Sequence, residues 1–328
     1  MPTLQEIADL AGVNKTTVSK ALRNSGDINR ETARRIHEIA SQLKYPVYKR
    51  QRQPSRIGIL CPEVTSHYYS TMTTALYEAF IEANYRPFLM LTEFSRENED
   101  KYLRMLMEDR LAGIVCITES PDIGLSVNGP VLEDTPIIVI GMNYQAANYD
   151  ALSVDERVGI RAAVEHLVSL GHERIAFVGG LYGMQRMRFL EDALRLNKLT
   201  LPAEYVAVSE LRDEINGYKQ MKQLLGCDPL PTAVVAEYDL VALGAMRALF
   251  EAGLSVPGDI SLVGFDNVEM GRYLPVSLTS IDCNVRDMCK IATSILLSKI
   301  HNAEYRTIQT VAVKPTLVVR ESTGIAKR

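Results

Sequence analysis

The chain has 328 residues, of which 47% are hydrophobic and 23% are charged, an ordinary globular composition with room for two or three domains. No apolar run approaches the roughly 20 residues of a membrane-spanning helix, and the N-terminus lacks the pattern of a secretion signal. We therefore expect a cytoplasmic protein without a membrane partner. Five scattered cysteines without C-x-x-C spacing argue against disulfides and against a metal site.

The small net charge of −4 conceals an uneven distribution. Residues 1–56 hold 11 of the 36 Lys and Arg residues but only 5 of the 40 Asp and Glu residues, so their net charge is +6 and that of the remainder is −10. A basic segment on an acidic chain indicates that only this segment meets a polyanion. A charge block is also common on a plain solvated surface, so a motif must decide between the two.

Residues 1–45 have the spacing of three short helices. Gly12 permits a sharp left-handed turn after the first helix. Asn14 is placed to cap a second helix over about residues 15–22, and Asn29 to cap a third. The predicted inward-facing residues, at helical intervals, are Leu4, Ile7, Ala8, Ala11, Val18, Leu22, Ala33, Ile36, Ala40 and Leu43.

Two short helices around a glycine turn, held by a third helix, form a helix-turn-helix whose second helix fits the DNA major groove. That helix turns Lys15, Thr16 and Lys20 outward, and these side-chain types reach base edges. A plain three-helix bundle accounts for the apolar spacing equally well, but not for this polar face. The residues predicted to contact phosphates are Asn14, Thr17, Ser19 and Asn29.

The stretch TLQEIADLAGVNKTTVSKALRNSGDINRETARRIHEIASQLKY resembles the headpiece of the LacI/GalR (lactose-repressor) family of bacterial transcription regulators. The resemblance lies in the T-L-x-x-I-A-x-x-A-G-V opening, the T-V-S run and the E-T-x-x-x-I pattern of the third helix. It implies that Lys15, Thr16 and Lys20 occupy the base-reading positions. The family usually has arginine where Lys20 stands, and lysine lacks the planar donor fork of arginine. We therefore expect less strict selection of guanine at the base pair that Lys20 reads.

Residues 46–56, PVYKRQRQPSR, form a basic connector that departs from the family. Most members continue with a hinge helix whose leucine wedges into the minor groove, whereas this segment has two prolines and no leucine. We therefore expect no leucine intercalation. Lys49, Arg50 and Arg52 are predicted to follow phosphates or to enter a narrow A·T-rich minor groove. A solvated basic linker without any readout accounts for them equally well.

From Ile57 onward, short apolar runs alternate with amphipathic segments. Such alternation, with strands buried on both faces, predicts an α/β body of doubly wound parallel sheets, with enough units for two sheets. A ligand is expected in a cleft at the carboxyl ends of the strands. The predicted strands are RIGIL, FLML, GIVCI, PIIVI, RIAFVGG, TAVVA and ISLVGF, and the predicted helices span about 69–83, 96–109, 157–170, 215–225, 240–252 and 286–300.

The family resemblance continues through this region, with landmarks in the family's order: GILCPEVTSHYYSTM, LVSLGHERIAFVGG, AVVAEYDLVALGAMRAL, ISLVGFDN and PVSLTSI. It implies a two-lobed core like that of the periplasmic sugar-binding proteins. The implied division is a headpiece at 1–45, a connector at 46–56 and an effector-binding and dimerisation core at 57–328. Lobe one would comprise about 57–154 and 285–313, and lobe two about 155–284 and 314–328.

By the same resemblance, an effector pocket is formed by Ser66, His67, Tyr68, Tyr69, Arg186, Tyr238, Asp239 and Asp266. Carboxylates accept hydrogen bonds from hydroxyls, arginine offers planar donors, and tyrosines stack on a sugar or base. Tyr238 replaces the family's usual asparagine, and Gly141 stands where many members have aspartate, so ligand identity does not transfer. A sugar or sugar derivative, including a sugar phosphate, is the first candidate, and a nucleoside or purine is the alternative. Read alone, Asp266 could equally close a turn, and Tyr68 and Tyr69 could equally be core aromatics.

The sequence thus predicts a DNA-binding transcription regulator, by resemblance a repressor, that reads a pseudo-palindromic operator as a homodimer. A small effector between the lobes would switch it, and no cofactor is expected. An enzyme is disfavoured because no G-x-G-x-x-G after a strand, no P-loop, no H-E-x-x-H and no G-x-S-x-G occurs. A periplasmic solute-binding protein is less consistent, since it would need a secretion signal and would carry no helix-turn-helix.

Overall fold

The computed structural model describes residues 2–22, 28–43, 45, 56–109, 111–119, 135–141, 149–302 and 304–327. The chain divides into two compact units, Met1–Ser55 and Arg56–Arg328. The connector residues Lys49, Arg50 and Arg52 lie outside the described residues, so their predicted DNA contacts stay a prediction.

The described part of the first unit contains three helices: α1 (Leu4–Ala11), α2 (Lys15–Leu22) and α3 (Arg30–Gln42). Their buried core consists of Ile7, Ala8, Ala11, Val18, Ala21, Ile36 and Ala40, with Leu4, Leu22, Ala33 and Leu43 packed against it and partly buried. The predicted helical spacing is therefore confirmed. Ala21 is the one member of this buried core that the spacing argument did not name.

Side-chain and backbone caps fix where the helices of this unit begin and end. Gly12 has φ of +65° and ends α1 in the left-handed conformation, as predicted. The Asn14 Oδ1 atom accepts a hydrogen bond from the Thr17 amide at 2.7 Å, and the Asn29 Oδ1 atom accepts one from the Glu31 amide at 2.9 Å. Such caps satisfy amides that have no partner within the helix, and each stabilises by about 1 kcal/mol.

The second unit contains two six-stranded sheets. The first is built from β1 (Arg56–Cys61), β2 (Arg86–Leu91), β3 (Gly113–Thr118), β4 (Ile137–Gly141), β5 (Asp150–Val154) and β11 (Thr310–Val313), in the order β11-β5-β4-β3-β1-β2 and parallel throughout. The second is built from β6 (Ile175–Gly180), β7 (Val206–Ser209), β8 (Ala233–Ala236), β9 (Ser261–Phe265), β10 (Thr279–Asp282) and β12 (Thr316–Val318), in the order β12-β10-β9-β8-β6-β7. Its strands are parallel except for β12, which runs antiparallel to β10.

The helices of this unit are α4 (His67–Glu82), α5 (Arg96–Glu108), α6 (Glu156–Ser169), α7 (Met184–Leu196), α8 (Asp213–Leu224), α9 (Asp239–Glu251) and α10 (Val285–His301). The six predicted spans are confirmed, with every boundary within two residues. Helix α7 was not among those spans.

Alternate residues of β3 show why the sheets are covered on both faces. Val115 and Ile117 share an apolar cluster with α4 and α10, whereas Ile114 and Cys116 share a cluster with α5. Two-sided burial is what a nearly continuous apolar strand requires. The predicted α/β class of two doubly wound sheets, preceded by a helix-turn-helix, is therefore confirmed.

The chain passes between the two sheets three times: after β5, after β10 and after β11. In each sheet the carboxyl ends of the parallel strands lie on the same side. The loops that precede α4, α6 and α9 begin at these carboxyl ends. This arrangement brings residues distant in sequence to one place, where the candidate site lies.

Candidate effector cavity and nucleic-acid interface

A cavity of about 680 Å³ lies among the loops that follow β1, β3 and β5 of the first sheet and β8 and β9 of the second. Its volume is within the range of small-molecule sites. All eight residues predicted for the effector pocket are among its lining residues: Ser66, His67, Tyr68, Tyr69, Arg186, Tyr238, Asp239 and Asp266. The structure thus brings together side chains from four separate parts of the sequence.

The loop after β1 is folded around the Glu63 carboxylate. Glu63 accepts hydrogen bonds from the amide and hydroxyl groups of both Thr65 and Ser66. Burial acts to raise the pKa of Glu63, but the hydrogen bonds from Ser66 and Thr65 together outweigh it and lower the pKa. The Ser66 hydroxyl is thereby committed to Glu63 and does not cap α4. His67 stands exposed at the first position of that helix.

Tyr68 and Tyr69 differ in their environment. Tyr69 is buried, and its hydroxyl donates to the Glu119 Oε1 atom at 2.6 Å. Tyr68 is half-buried, and its ring meets the Tyr69 ring edge-on, with the centroids 5.2 Å apart. Burial raises the pKa of both phenols well above the usual value, so both remain protonated. Tyr69 is therefore both a core aromatic and a wall of the cavity.

Arg186 is held by the protein itself. Its Nε and Nη2 atoms donate to the Glu156 Oε1 atom at 2.9 and 2.7 Å, and its Nη1 atom donates to the backbone oxygen of Glu237 at 2.6 Å. The guanidinium lies 3.8 Å from the centroid of the Phe265 ring. Burial acts to lower the pKa of Arg186, but Glu156 and Asp266 raise it further, so the group stays charged. These contacts fix the arginine and use much of its donor capacity.

Asp239, at the start of α9, is 3% exposed, and both of its oxygens accept hydrogen bonds. Oδ1 accepts from the Ser280 hydroxyl at 2.6 Å, and Oδ2 accepts from the Val268 amide at 2.7 Å. Burial raises the pKa of Asp239 to about 8, against the opposing effect of the Ser280 hydrogen bond. Asp239 thus fastens α9 to β10 and to the loop after β9, which is a positioning role at the cavity wall.

Tyr238 joins the N-termini of α8 and α9. Its hydroxyl accepts a hydrogen bond from the Asp213 amide at 3.0 Å and donates to the Asp213 Oδ1 atom at 3.2 Å. An asparagine side chain, the residue usual for the family at this position, is too short to span the same gap. Tyr238 therefore gives this cavity an aromatic wall and a link between two helices.

Asp266 follows β9 in a conformation that non-glycine residues seldom adopt, with φ of +96°, and Asn267 follows with φ of +51°. Its carboxylate is half-buried, and the Cys283 Sγ atom lies 3.8 Å from Oδ1. Burial raises the pKa of Asp266 to about 6, while Arg186 opposes the shift. The residue therefore closes a turn and also offers a carboxylate to the cavity.

Eight charged residues of the cavity wall were not predicted from the sequence: Glu63, Glu93, Glu119, Glu156, Arg212, Asp213, Glu214 and Glu237. Glu119 and Glu237 directly follow β3 and β8, and Glu156 follows β5 by two residues. That position at the end of a parallel strand is a signal that sequence reasoning could have used. Arg212 carries no such signal, because it reaches Glu119 from a different sheet: its Nη1 atom lies 3.8 Å from the Glu119 Oε2 atom.

In the first unit, Lys15, Thr16 and Lys20 are exposed along α2. Of the predicted phosphate contacts, Asn14 and Asn29 are exposed, and Thr17 and Ser19 are half-buried. The Thr17 hydroxyl donates to the Asn14 Oδ1 atom at 2.8 Å. Helix capping uses the amide oxygens of both asparagines, so the predicted phosphate contacts would have to use their amide nitrogens.

Neither a metal site nor a membrane span is found within the described ranges. No three His, Cys, Asp or Glu side chains among them are placed to hold a metal ion, and no helix there is long and apolar enough to cross a bilayer. All five cysteines are free thiols.

Comparison with known proteins gives consistent matches. Residues 3–46 match the family described as bacterial regulatory proteins, lacI family, and residues 164–323 match a periplasmic binding protein-like domain. The HTH-type transcriptional repressor PurR of Glaesserella parasuis serovar 5 (strain SH0165) is 30% identical over 338 residues, with 98% of each chain covered. The lac repressor dimer bound to operator and the anti-inducer ONPF has a TM-score of 0.75 at 24% identity, covering 98% of this chain and 99% of that chain. A LacI family regulator from Enterococcus faecium with bound ribose has a TM-score of 0.73 at 26% identity, covering 83% of this chain and 100% of that chain.

Proposed function

From the premise that the chain belongs to the LacI family of bacterial transcriptional repressors, we propose that it reads a pseudo-palindromic operator as a homodimer and that a small effector in the cavity switches it. The observation that carries this proposal is the meeting of all eight predicted effector residues at one cavity. We further propose the division into headpiece 1–45, connector 46–56 and two-lobed core 57–328, without catalytic activity or cofactor. Because its target is the operator, we assign the protein to the cytoplasm.

Operator reading is assigned to α2. Lys15, Thr16 and Lys20 are exposed on the helix whose opposite side carries the buried Val18 and Ala21. Such a helix can present its exposed face to base edges while the unit's core stays intact. We assign phosphate contacts to Asn14, Thr17, Ser19 and Asn29, and to the basic residues Lys49, Arg50 and Arg52 of the connector.

Dimerisation is supported by an apolar surface on the first sheet. Tyr77 and Ile81, one turn apart on α4, are 52% and 47% exposed, and Leu89 and Leu91 on the edge strand β2 are 40% and 39% exposed. Exposed apolar side chains grouped in this way are typical of protein interfaces. Two headpieces on such a dimer would read half-sites about one helical turn apart.

The test is selection of binding sites from random duplexes by the full chain, with sedimentation velocity on the same preparation. We expect a two-fold symmetric consensus and a dimer of the 36.6 kDa chain. Selected duplexes should outcompete random duplexes by about 1000-fold or more at near-physiological salt. A monomer, or a preparation without sequence preference at any salt concentration, would contradict the proposal.

For the effector we propose a sugar or sugar derivative, with a nucleoside or purine as the alternative. Hydrogen-bonding carboxylates and the aromatic faces of Tyr68 and Tyr238 suit either class. We expect the effector to bind one state of the core more tightly than the other. A nearly complete shift of the population between the two states needs a difference in binding free energy on the order of 5 kcal/mol.

A further inference from the structure

The cavity is strongly acidic. Among the described residues that line it, nine are Asp or Glu, whereas two are Arg and none is Lys. An acidic lining by itself is not a binding site, so the partners of these groups decide what the cavity can accept. The acidic residues are Glu63, Glu93, Glu119, Glu156, Asp213, Glu214, Glu237, Asp239 and Asp266, and the basic residues are Arg186 and Arg212.

Both arginines are already paired with carboxylates of the chain. Arg186 makes two hydrogen bonds to Glu156, and its side chain is 14% exposed. Arg212 pairs with Glu119 and lies over Phe94, with the guanidinium carbon 4.0 Å from the ring centroid. An anionic ligand would compete with these carboxylates for the two arginines, and it would bring a further negative charge close to them.

The cavity wall has more carboxylates than its two arginines can neutralise. Glu156 is 2% exposed, and its Oε2 atom has no hydrogen-bond partner within the described residues. Glu237 and Asp266 form no ion pair among those residues either. The Glu237 Oε2 atom instead accepts from the Gly180 amide at 2.5 Å. The wall thus offers hydrogen-bond acceptors and negative charge to whatever enters.

We propose that this cavity takes an uncharged ligand rich in hydrogen-bond donors, such as a sugar, polyol or nucleoside, and that it excludes carboxylates and phosphates. This inference rests on the proposed effector function and narrows it, since sugar phosphates and sugar acids are removed from the candidates. Hydroxyl and N–H groups of such a ligand are matched to the excess acceptors. Tyr68 and Tyr238 supply the apolar faces on which a ring can stack.

The experiment uses matched pairs of compounds that differ in one anionic group. Titration calorimetry on the full chain without DNA, at pH 7.5 and low salt, compares galactose with galacturonate, glucose with glucose 6-phosphate, ribose with ribose 5-phosphate, and adenosine with AMP. We expect at least one uncharged member to bind and its anionic partner to bind about 100-fold more weakly or not at all. An anion that binds as tightly as its uncharged partner overturns the proposal, and so does the absence of binding by every uncharged compound.

Two variants test whether the anionic compounds are excluded by the charge of the cavity or by its shape. Asp266→Asn keeps the side-chain size at a backbone conformation that asparagine tolerates, and Glu119→Gln keeps an oxygen that can accept from Tyr69. Each should reduce the discrimination against the anionic partner about tenfold, whereas Glu108→Gln, an exposed change at the end of α5, should leave it unaltered. Unchanged discrimination in both cavity variants would mean that the carboxylates do not cause it. Because these titrations contain no DNA, they test ligand discrimination independently of operator binding. A failure of operator binding would appear only in the site-selection experiment.

Discussion

Lys20 lies on the exposed side of α2, at a position where the family usually has arginine. A lysine ammonium can donate to guanine N7 or O6, but it cannot make the bidentate contact of a guanidinium. We expect Lys20→Ala to cost about 1–3 kcal/mol at a single base pair and to relax sequence preference there. Site selection with the variant measures this, and Lys101→Ala on the exposed surface of α5 is the control. An unaltered consensus in Lys20→Ala would assign the lysine to the phosphate backbone instead.

The cavity residues show what a sequence can and cannot predict about a site. Residue types and family positions named eight of the side chains that line the cavity, but not charged residues such as Glu119, Glu156 and Glu237. They did not indicate that Asp239 is held by Ser280 and Val268, or that Arg186 is held by Glu156 and a backbone carbonyl. These partners depend on long-range packing, which local spacing does not encode. Loss of effector response in Asp239→Ala would therefore report lost positioning rather than lost contact.

Among the elements, helices α8 and α9 approach each other closely because each carries a glycine at the contact. A Cβ atom on Gly217 would lie 1.8 Å from the Val241 carbonyl oxygen, and one on Gly244 would lie 1.9 Å from the Glu214 carbonyl oxygen. The N-termini of these helices carry Asp213 and Asp239 to the cavity. Their close contact therefore fixes part of its wall.

Gly217→Ala is expected to force the two helices apart and to lower the free energy of unfolding by about 1–3 kcal/mol, because backbone atoms cannot yield as a flexible side chain would. Effector binding should weaken as the helix N-termini shift. Chemical denaturation and calorimetry measure the two effects, with Gly226→Ala beyond the end of α8 as the control. A variant as stable as the wild-type protein would show that the helices can reseat without cost.

Predictability of the strands followed their apolar content. The most apolar strands, and the described helices of the second unit except α7, were predicted from periodicity, whereas β5, β7, β10, β11 and β12 were not. These strands have three to five residues, and several contain polar side chains. In β5, Asp150 is buried because it pairs with Lys299 at 2.7 Å and accepts from the Gln309 amide at 2.9 Å. Such a strand is stabilised by distant partners, so its local pattern resembles that of a loop.

At the scale of the whole core, one side chain connects the two sheets across the cavity. Arg212 belongs to the segment between β7 and α8 of the second sheet, and it contacts Glu119 and Phe94, which follow β3 and β2 of the first sheet. The Glu119 carboxylate is itself held by the Tyr69 hydroxyl. A partly exposed ion pair together with a cation–π contact contributes about 1–2 kcal/mol. We call the arrangement in which Arg212 meets Glu119 and Phe94 the closed arrangement. This contact energy favours it even when no ligand is bound.

Arg212→Gln removes the ion pair and the cation–π contact together, so we expect the population of the closed core to fall about 5- to 30-fold relative to the open one. Pulsed dipolar spectroscopy can measure this with spin labels at Glu108→Cys on α5 and Arg188→Cys on α7, in a Cys227→Ser background. The wild-type distance distribution should have a short component that the variant loses, whereas Arg195→Gln, whose partners lie on its own helix, should retain it. Arg212→Lys keeps the charge but not the planar stacking, so its distribution should lie between the two. Identical distributions in Arg212→Gln and the wild-type protein would mean that the connections between the sheets, and not this arginine, set how far the cavity opens.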